Sequence, residues 1–250
     1  MKMEHSSIEF VEWNKKNLAG YTLIEGFPGL GLVGTIAAKY VVEKGGFEEL
    51  GVIESDGFSS IIRVHDGMPV FPSRIYVNDK QKLVVLISEQ IIPKQLTPKL
   101  AKKTVQWIKS KGIKRAISLA GINTGDPKDQ NIYGIADNIQ SKQMLEKNGV
   151  LMIKEGITTG VTALILLELQ KETAIEAMSL MGPVSIGADY KAAAKLLEKL
   201  NTVLGLNIDV KPLLAEAKKT EREILDHLQK VKETGETIQE LEDKTTTMYA

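Results

Sequence analysis

Short apolar runs alternate with helix-period stretches through the first 205 residues of the chain. Residues 21–27 (YTLIEGF) form an apolar run between Gly20 and Pro28, the pattern of a buried strand. Residues 31–44 follow with small and apolar side chains at helical spacing and stop at Gly45-Gly46, where a helix end is easily made. Residues 49–55, 61–64, 74–77 and 83–88 read as strands. The last two are separated by the turn-forming Asn78-Asp79-Lys80, so they should pair antiparallel. Thr97 is expected to cap a helix with Pro98 at its first position, running through Trp107 to Ser110 and ending at Gly112. Beyond it the pattern predicts a buried strand over 116–120, a long polar loop over 123–138 and a helix over 139–147. A strand over 151–154, a helix over 161–172, a strand over 174–180 and an amphipathic helix over 190–204 complete the series. Recurrent strand-helix-strand units build parallel sheets with helices on both faces. The expectation for residues 1–207 is therefore α/β: a three-layer α/β/α domain around a largely parallel mixed sheet.

The texture changes after Asn207. From Pro212 onward apolar residues fall at Leu214, Ala217, Ile224, Leu228, Val231 and Ile238, a partial heptad set in Lys and Glu and interrupted by Glu221 and Gly235. Residues 208–250 thus read as a charged amphipathic helical extension, which either packs one face on its own domain or serves as an arm for self-association. The final stretch, Lys244 to Ala250, has no pattern and reads as a flexible tail.

Composition narrows the function classes. The 32 basic and 32 acidic side chains balance, so nothing global points to nucleic acid or an anionic membrane as partner. There is no cysteine, which removes thiol catalysis and cysteine-bound zinc and suits a reducing, cytoplasmic setting. The N-terminus lacks the pattern of a signal peptide, and the longest apolar run, residues 161–167, is far below the ~20 residues a membrane span needs.

The stretch GFPGLGLVG, residues 26–34, is the most chemically suggestive. Gly29, Gly31 and Gly34 spell G-x-G-x-x-G between a strand and a helix, and Glu54 lies twenty residues further on, as a dinucleotide fingerprint requires. Two residues argue against a phosphate there. Glu25 places a carboxylate near the site, and Pro28 interposes a rigid step where the dinucleotide motif turns straight off its strand. A structural turn and a nucleotide- or dinucleotide-binding enzyme both remain readings of this motif. No P-loop is present. His5, His65 and His227 show no metal-ligand spacing, and Ser118 and Ser185 lack a nucleophile elbow. Glu54, Glu89 and Glu155 fall at or near strand ends, where an α/β enzyme places acids, but nothing joins them into a constellation. The residues specify no catalytic group, metal site or cofactor.

Three motifs in order carry a resemblance: Glu25 to Gly34 (EGFPGLGLVG), Pro72 to Tyr76 (PSRIY) and Lys154 to Gly160 (KEGITTG). Together they resemble the proteasome assembly chaperone family, in its archaeal PbaB-like branch. That resemblance implies a non-catalytic, ATP-independent chaperone in which Gly26, Pro28, Gly29, Gly31 and Gly34 form a structural loop. It also implies a homo-oligomer, with a tetramer expected. The chain ends Met248-Tyr249-Ala250, similar to the hydrophobic-tyrosine-any residue (HbYX) ending by which proteins dock on the proteasome α-ring. Such an end offers an apolar side chain, a phenol and a carboxylate that a lysine in an inter-subunit pocket can pair with. The expected partners are the α-subunits of the proteasome core particle and further copies of the chain itself.

Overall fold

A computed structural model of the protein describes residues 6–126, 128–184 and 187–215. In chain order the elements are β1 (Glu9–Glu12), β2 (Thr22–Gly26), α1 (Val33–Gly45), β3 (Glu48–Glu54), β4 (Arg63–His65), β5 (Met68–Val70), β6 (Ser73–Asn78) and β7 (Leu83–Ser88). They continue with α2 (Thr97–Ser110), β8 (Arg115–Ile122), β9 (Tyr133–Ala136), α3 (Ile139–Lys147), β10 (Leu151–Met152), α4 (Val161–Leu169), β11 (Glu176–Pro183) and α5 (Tyr190–Leu204). Nine strands form one sheet in the order β1-β3-β6-β7-β2-β8-β11-β9-β10, while β4 and β5 form a separate ribbon.

The centre of the sheet is parallel: β7, β2, β8 and β11 run side by side in one direction. These strands are almost wholly apolar because both their faces are covered. Helices α1 and α5 pack together on one face, and α2 and α4 on the other. The α2/α4 side holds a core of Leu23, Phe27, Leu100, Val105, Ile108 and Ile165 with their neighbours. On the flank, β6 and β7 pair antiparallel through the expected turn, with Asn78 pairing Leu83 at its base. The three-layer α/β/α expectation holds.

Several local details differ from the sequence reading. Helix α2 begins after a 3-10 turn at Lys94–Leu96, so Leu96 occupies the capping position, and the Thr97 hydroxyl instead donates to the Pro93 carbonyl at 3.3 Å. The supposed polar loop over 123–138 contains β9, which pairs antiparallel with β11 and parallel with β10. The N-terminal segment contributes β1, antiparallel to β3 at the sheet edge. The strand expected over 61–64 is half of the β4–β5 ribbon. Its two-residue turn, Asp66-Gly67, has φ of 49° and 75°, the conformation that joins tightly twisted hairpins.

The first compact unit of the chain ends at Val210. Its last residues are tied in by the Asn201 amide, which bonds both the carbonyl and the N–H of Ile208, and by the Tyr40 hydroxyl, which donates to the Asp209 carbonyl at 2.8 Å. No helix among the described residues is long and apolar enough to cross a membrane.

Candidate functional site

The glycine stretch lies at the carboxyl end of the central strand β2, where open α/β sheets hold ligands. Along β2 the side chains alternate. Leu23 points with Phe27 into the α2/α4 core, and Gly26 lies against α1. A Cβ on Gly26 would stand 2.3 Å from the Gly34 carbonyl oxygen and 2.6 Å from Ala38 Cβ, so α1 rests directly on the strand backbone. A Cβ on Gly34 would stand 2.0 Å from the Leu119 carbonyl oxygen on β8. The first turn of α1 is thereby pressed onto two adjacent strands.

Gly31 has φ of 63°, and its Cβ would meet Val184 Cγ1 at 2.7 Å; its carbonyl accepts from the Asp189 N–H at 2.8 Å. In a dinucleotide fingerprint the second glycine makes room for the pyrophosphate. Here the space against it is filled by Val184 of the same chain. Gly29 is extended and exposed, and a Cβ there would have nothing closer than 4.0 Å. The glycine that sequence reasoning missed is Gly121, whose Cβ would stand 2.1 Å from the Leu30 carbonyl oxygen. Its signal was present, since a glycine inside an apolar strand marks a close backbone approach. Val184 carried no local signal.

Pro28 and Phe27 line a cleft of about 660 Å³ beside this turn. Its walls are apolar, with Leu30, Ile122, Ile153, Val161 and Met181, and its polar groups are Asn123, Glu155, Thr158, Thr159 and Thr162. No Lys, Arg or His stands among the described lining residues, so no cationic side chain is present to hold a phosphate.

Glu25 is fully buried on the α2/α4 side of β2. One carboxyl oxygen accepts from the Thr162 hydroxyl at 3.3 Å; the other, Oε1, has no hydrogen-bond partner among the described residues. Loss of hydration pushes its pKa from 4.5 up to about 7, against the opposing pull of the neighbouring Ser118 and Thr162 hydroxyls. The group lies beneath the first turn of α4. It is a buried acid beneath α4 whose charge changes with pH around 7.

The remaining acids are dispersed. Glu89 is bound by Arg74, by Arg63 at 3.1 Å and by Lys39 at 3.2 Å. Glu54 ends β3, opposite Glu9. Glu155 stands at the rim of the cleft, and His65 lies 3.7 Å from Asp66 at the exposed ribbon turn. Among the described residues no three His, Cys, Asp or Glu are grouped to hold a metal ion. His5, Ser185, His227, most of the heptad-like segment and the terminal Met248, Tyr249 and Ala250 lie outside the described residues.

A three-layer α/β/α domain with a parallel centre, whose glycine turn is packed against its own strands, is the class these features define. The chain belongs to the PAC2 family, whose model matches residues 23–228. It is 31% identical over 219 residues to the uncharacterized protein MJ0106 of Methanocaldococcus jannaschii, spanning 87% of this chain and 90% of that one. The crystal structure of Pyrococcus furiosus PbaA, an archaeal homolog of proteasome-assembly chaperone, superposes with a TM-score of 0.79 at 30% identity, covering 87% of this chain and 95% of that one. Pyrococcus furiosus PbaB, an archaeal proteasome activator, shares the fold with a TM-score of 0.74 at 23% identity, covering 91% and 100%. The family is the one the three motifs indicated. Identity to PbaA exceeds identity to PbaB, although the motifs had suggested the latter branch.

Proposed function

We propose that the protein is an ATP-independent proteasome assembly chaperone that binds the core-particle α-ring through Met248, Tyr249 and the carboxylate of Ala250. The observation that carries this reading is the likeness to PbaA, which extends over 87% of this chain and 95% of that one. The glycine turn supports it from the other side. Val184 fills the space beside Gly31, and the neighbouring cleft offers no cationic side chain among its described residues, so the nucleotide-enzyme reading has little physical support. Gly26, Gly31 and Gly34 then serve the fold by letting backbones approach, with Pro28 and Gly29 as the step that leads into the turn. The protein acts in the cytoplasm as a homo-oligomer, a tetramer in this proposal, with the docking tail at the end of the segment that follows the α/β domain in sequence.

One short tail binds weakly, because ordering it consumes much of what its few contacts contribute. Several tails on one oligomer raise the effective concentration and strengthen apparent binding by ~10²–10⁴-fold without new contacts. The test is a pull-down of proteasome α-subunits by the intact protein beside a version lacking its last three residues. Loss of capture on truncation is the expected result. Equal capture by both would move the contact onto the folded surface.

A further inference from the structure

A second cleft, of about 420 Å³, opens at the outer flank of the sheet, bordered by the ends of β1 and β3. Glu9, Glu54, Asp56, Phe58, Phe71 and Gln90 are among the residues that line it. Glu9 and Glu54 are directly opposed across the antiparallel β1–β3 pair, an arrangement that like charges make unfavourable. Neither they nor Asp56 form an ion pair with any described residue. The cleft therefore groups carboxylates that no described residue pairs with.

A second, independent feature asks for a donor. Gln90 is only 4% exposed and lines the same cleft. Its Nε2 donates to Ser73 Oγ at 3.0 Å, and Ser73 Oγ lies 3.0 Å from Ser88 Oγ, which donates to the Gln90 carbonyl at 2.9 Å. This network fixes the amide, yet Oε1 is buried with no partner among the described residues. A buried acceptor left open is costly unless a donor reaches it.

The rim is apolar. Ile61 and Phe71 line the cleft with about half their surface open, and the adjacent Ile62 and Ile91 are 69% and 79% exposed. Exposed apolar residues grouped in this way mark a surface for another protein more than a pocket for a lone ion. A guanidinium suits the interior. Its planar array of donors can pair with more than one carboxylate at once, and it stacks on phenyl rings such as those of Phe58 and Phe71. We propose that this cleft receives an arginine side chain carried on an apolar segment of a partner protein. The site is separate from the tail contact and does not depend on it.

The probe is the capped pentapeptide glycyl-leucyl-arginyl-leucyl-glycine, titrated into the isotopically labelled full chain and followed by backbone amide shifts. Comparison peptides carry norleucine or glutamate in place of arginine, and ethylguanidinium alone forms a fourth arm. Shifts at Glu54, Asp56, Phe58 and Gln90 are expected for the arginine peptide, with affinity falling at least about fivefold for the norleucine peptide. A similar fall is expected in the double variant Glu9→Gln, Glu54→Gln, and with added salt. Without peptide, Glu54→Gln should melt at the same temperature as the wild type or higher, because it removes an opposed charge; a structural role for the carboxylate would lower it. The proposal is overturned by absence of shifts at about 5 mM peptide, by equal binding of the glutamate peptide, or by unchanged binding in the double variant. Ethylguanidinium binding as tightly as the peptide would also overturn it, since the site would then serve a small cation and not a protein segment.

Discussion

At the scale of single residues the buried Glu25 gives the fold a pH dependence whose sign is set by hydration. In the unfolded chain the carboxyl titrates near 4.5, and in the folded one near 7. Between these values the folded state holds a proton that the unfolded state has released, so stability falls as pH rises through the window and levels off above it. The span corresponds to roughly 3 kcal/mol as an order of magnitude. Glu25→Gln keeps a side chain able to accept from Thr162 and removes the ionisation. Denaturant melts at pH 5 and pH 8 should show the wild type losing stability at the higher pH and the variant losing clearly less; parallel curves would mean that Glu25 is hydrated in solution. The glycines make a sharper pair. Gly34→Ala drives a Cβ into the backbone of Leu119 and should cost about 3 kcal/mol or more, whereas Gly29→Ala meets open space and should cost less than about 1 kcal/mol. A phosphate cradle would not sort the two by packing, and thermal melts of both variants test this. In sequence the three fingerprint glycines are equivalent. What separates them is Leu119 and Val184, which lie far along the chain, beyond anything local spacing records.

At the scale of elements, strands with long apolar runs were legible and short edge strands were not. β7 and β8 announce themselves because both faces are buried. β1 has only Phe10 and Val11 between two glutamates, and β9 sits within a polar stretch; each is held by pairing with a distant strand that no local pattern encodes. The β4–β5 ribbon stands apart from the main sheet, and an isolated two-stranded ribbon is marginal in water. Its tie is Arg63, which shares Glu89 with Lys39 and the buried Arg74. Glu89→Gln would leave three cations without their common anion, Arg74 among them with little access to water. The expected cost is roughly 3 kcal/mol, with hydrogen exchange in residues 63–70 accelerated more than in β6 or β7. Uniform exchange across the ribbon and the sheet would show that the ribbon is anchored by its apolar residues instead.

At the scale of the whole molecule, the alternation of strands and helices sufficed for the α/β/α class because each layer repeats the same burial pattern. The family was legible from three short motifs, one of which is the glycine turn that packs α1 onto the sheet. The functional proposal rests on a different part of the chain, and its central prediction concerns three residues acting as a unit. Tyr249→Ala removes an aromatic body and its hydroxyl together, a loss that at a desolvated contact typically amounts to ≥2 kcal/mol, about thirtyfold for each tail. In an oligomer engaging several pockets those losses multiply, so capture of α-subunits should vanish at roughly micromolar protein while the melting curve stays that of the wild type. Adding a few residues after Ala250 should be nearly as damaging, because it carries the carboxylate away from its cationic partner, whereas a simple apolar contact through Met248 and Tyr249 would tolerate the addition. The two variants thus separate a terminal carboxylate lock from a hydrophobic patch. If both bind the α-ring as the unaltered chain does, the Met-Tyr-Ala ending plays no part, and the search for the contact moves to the folded domain.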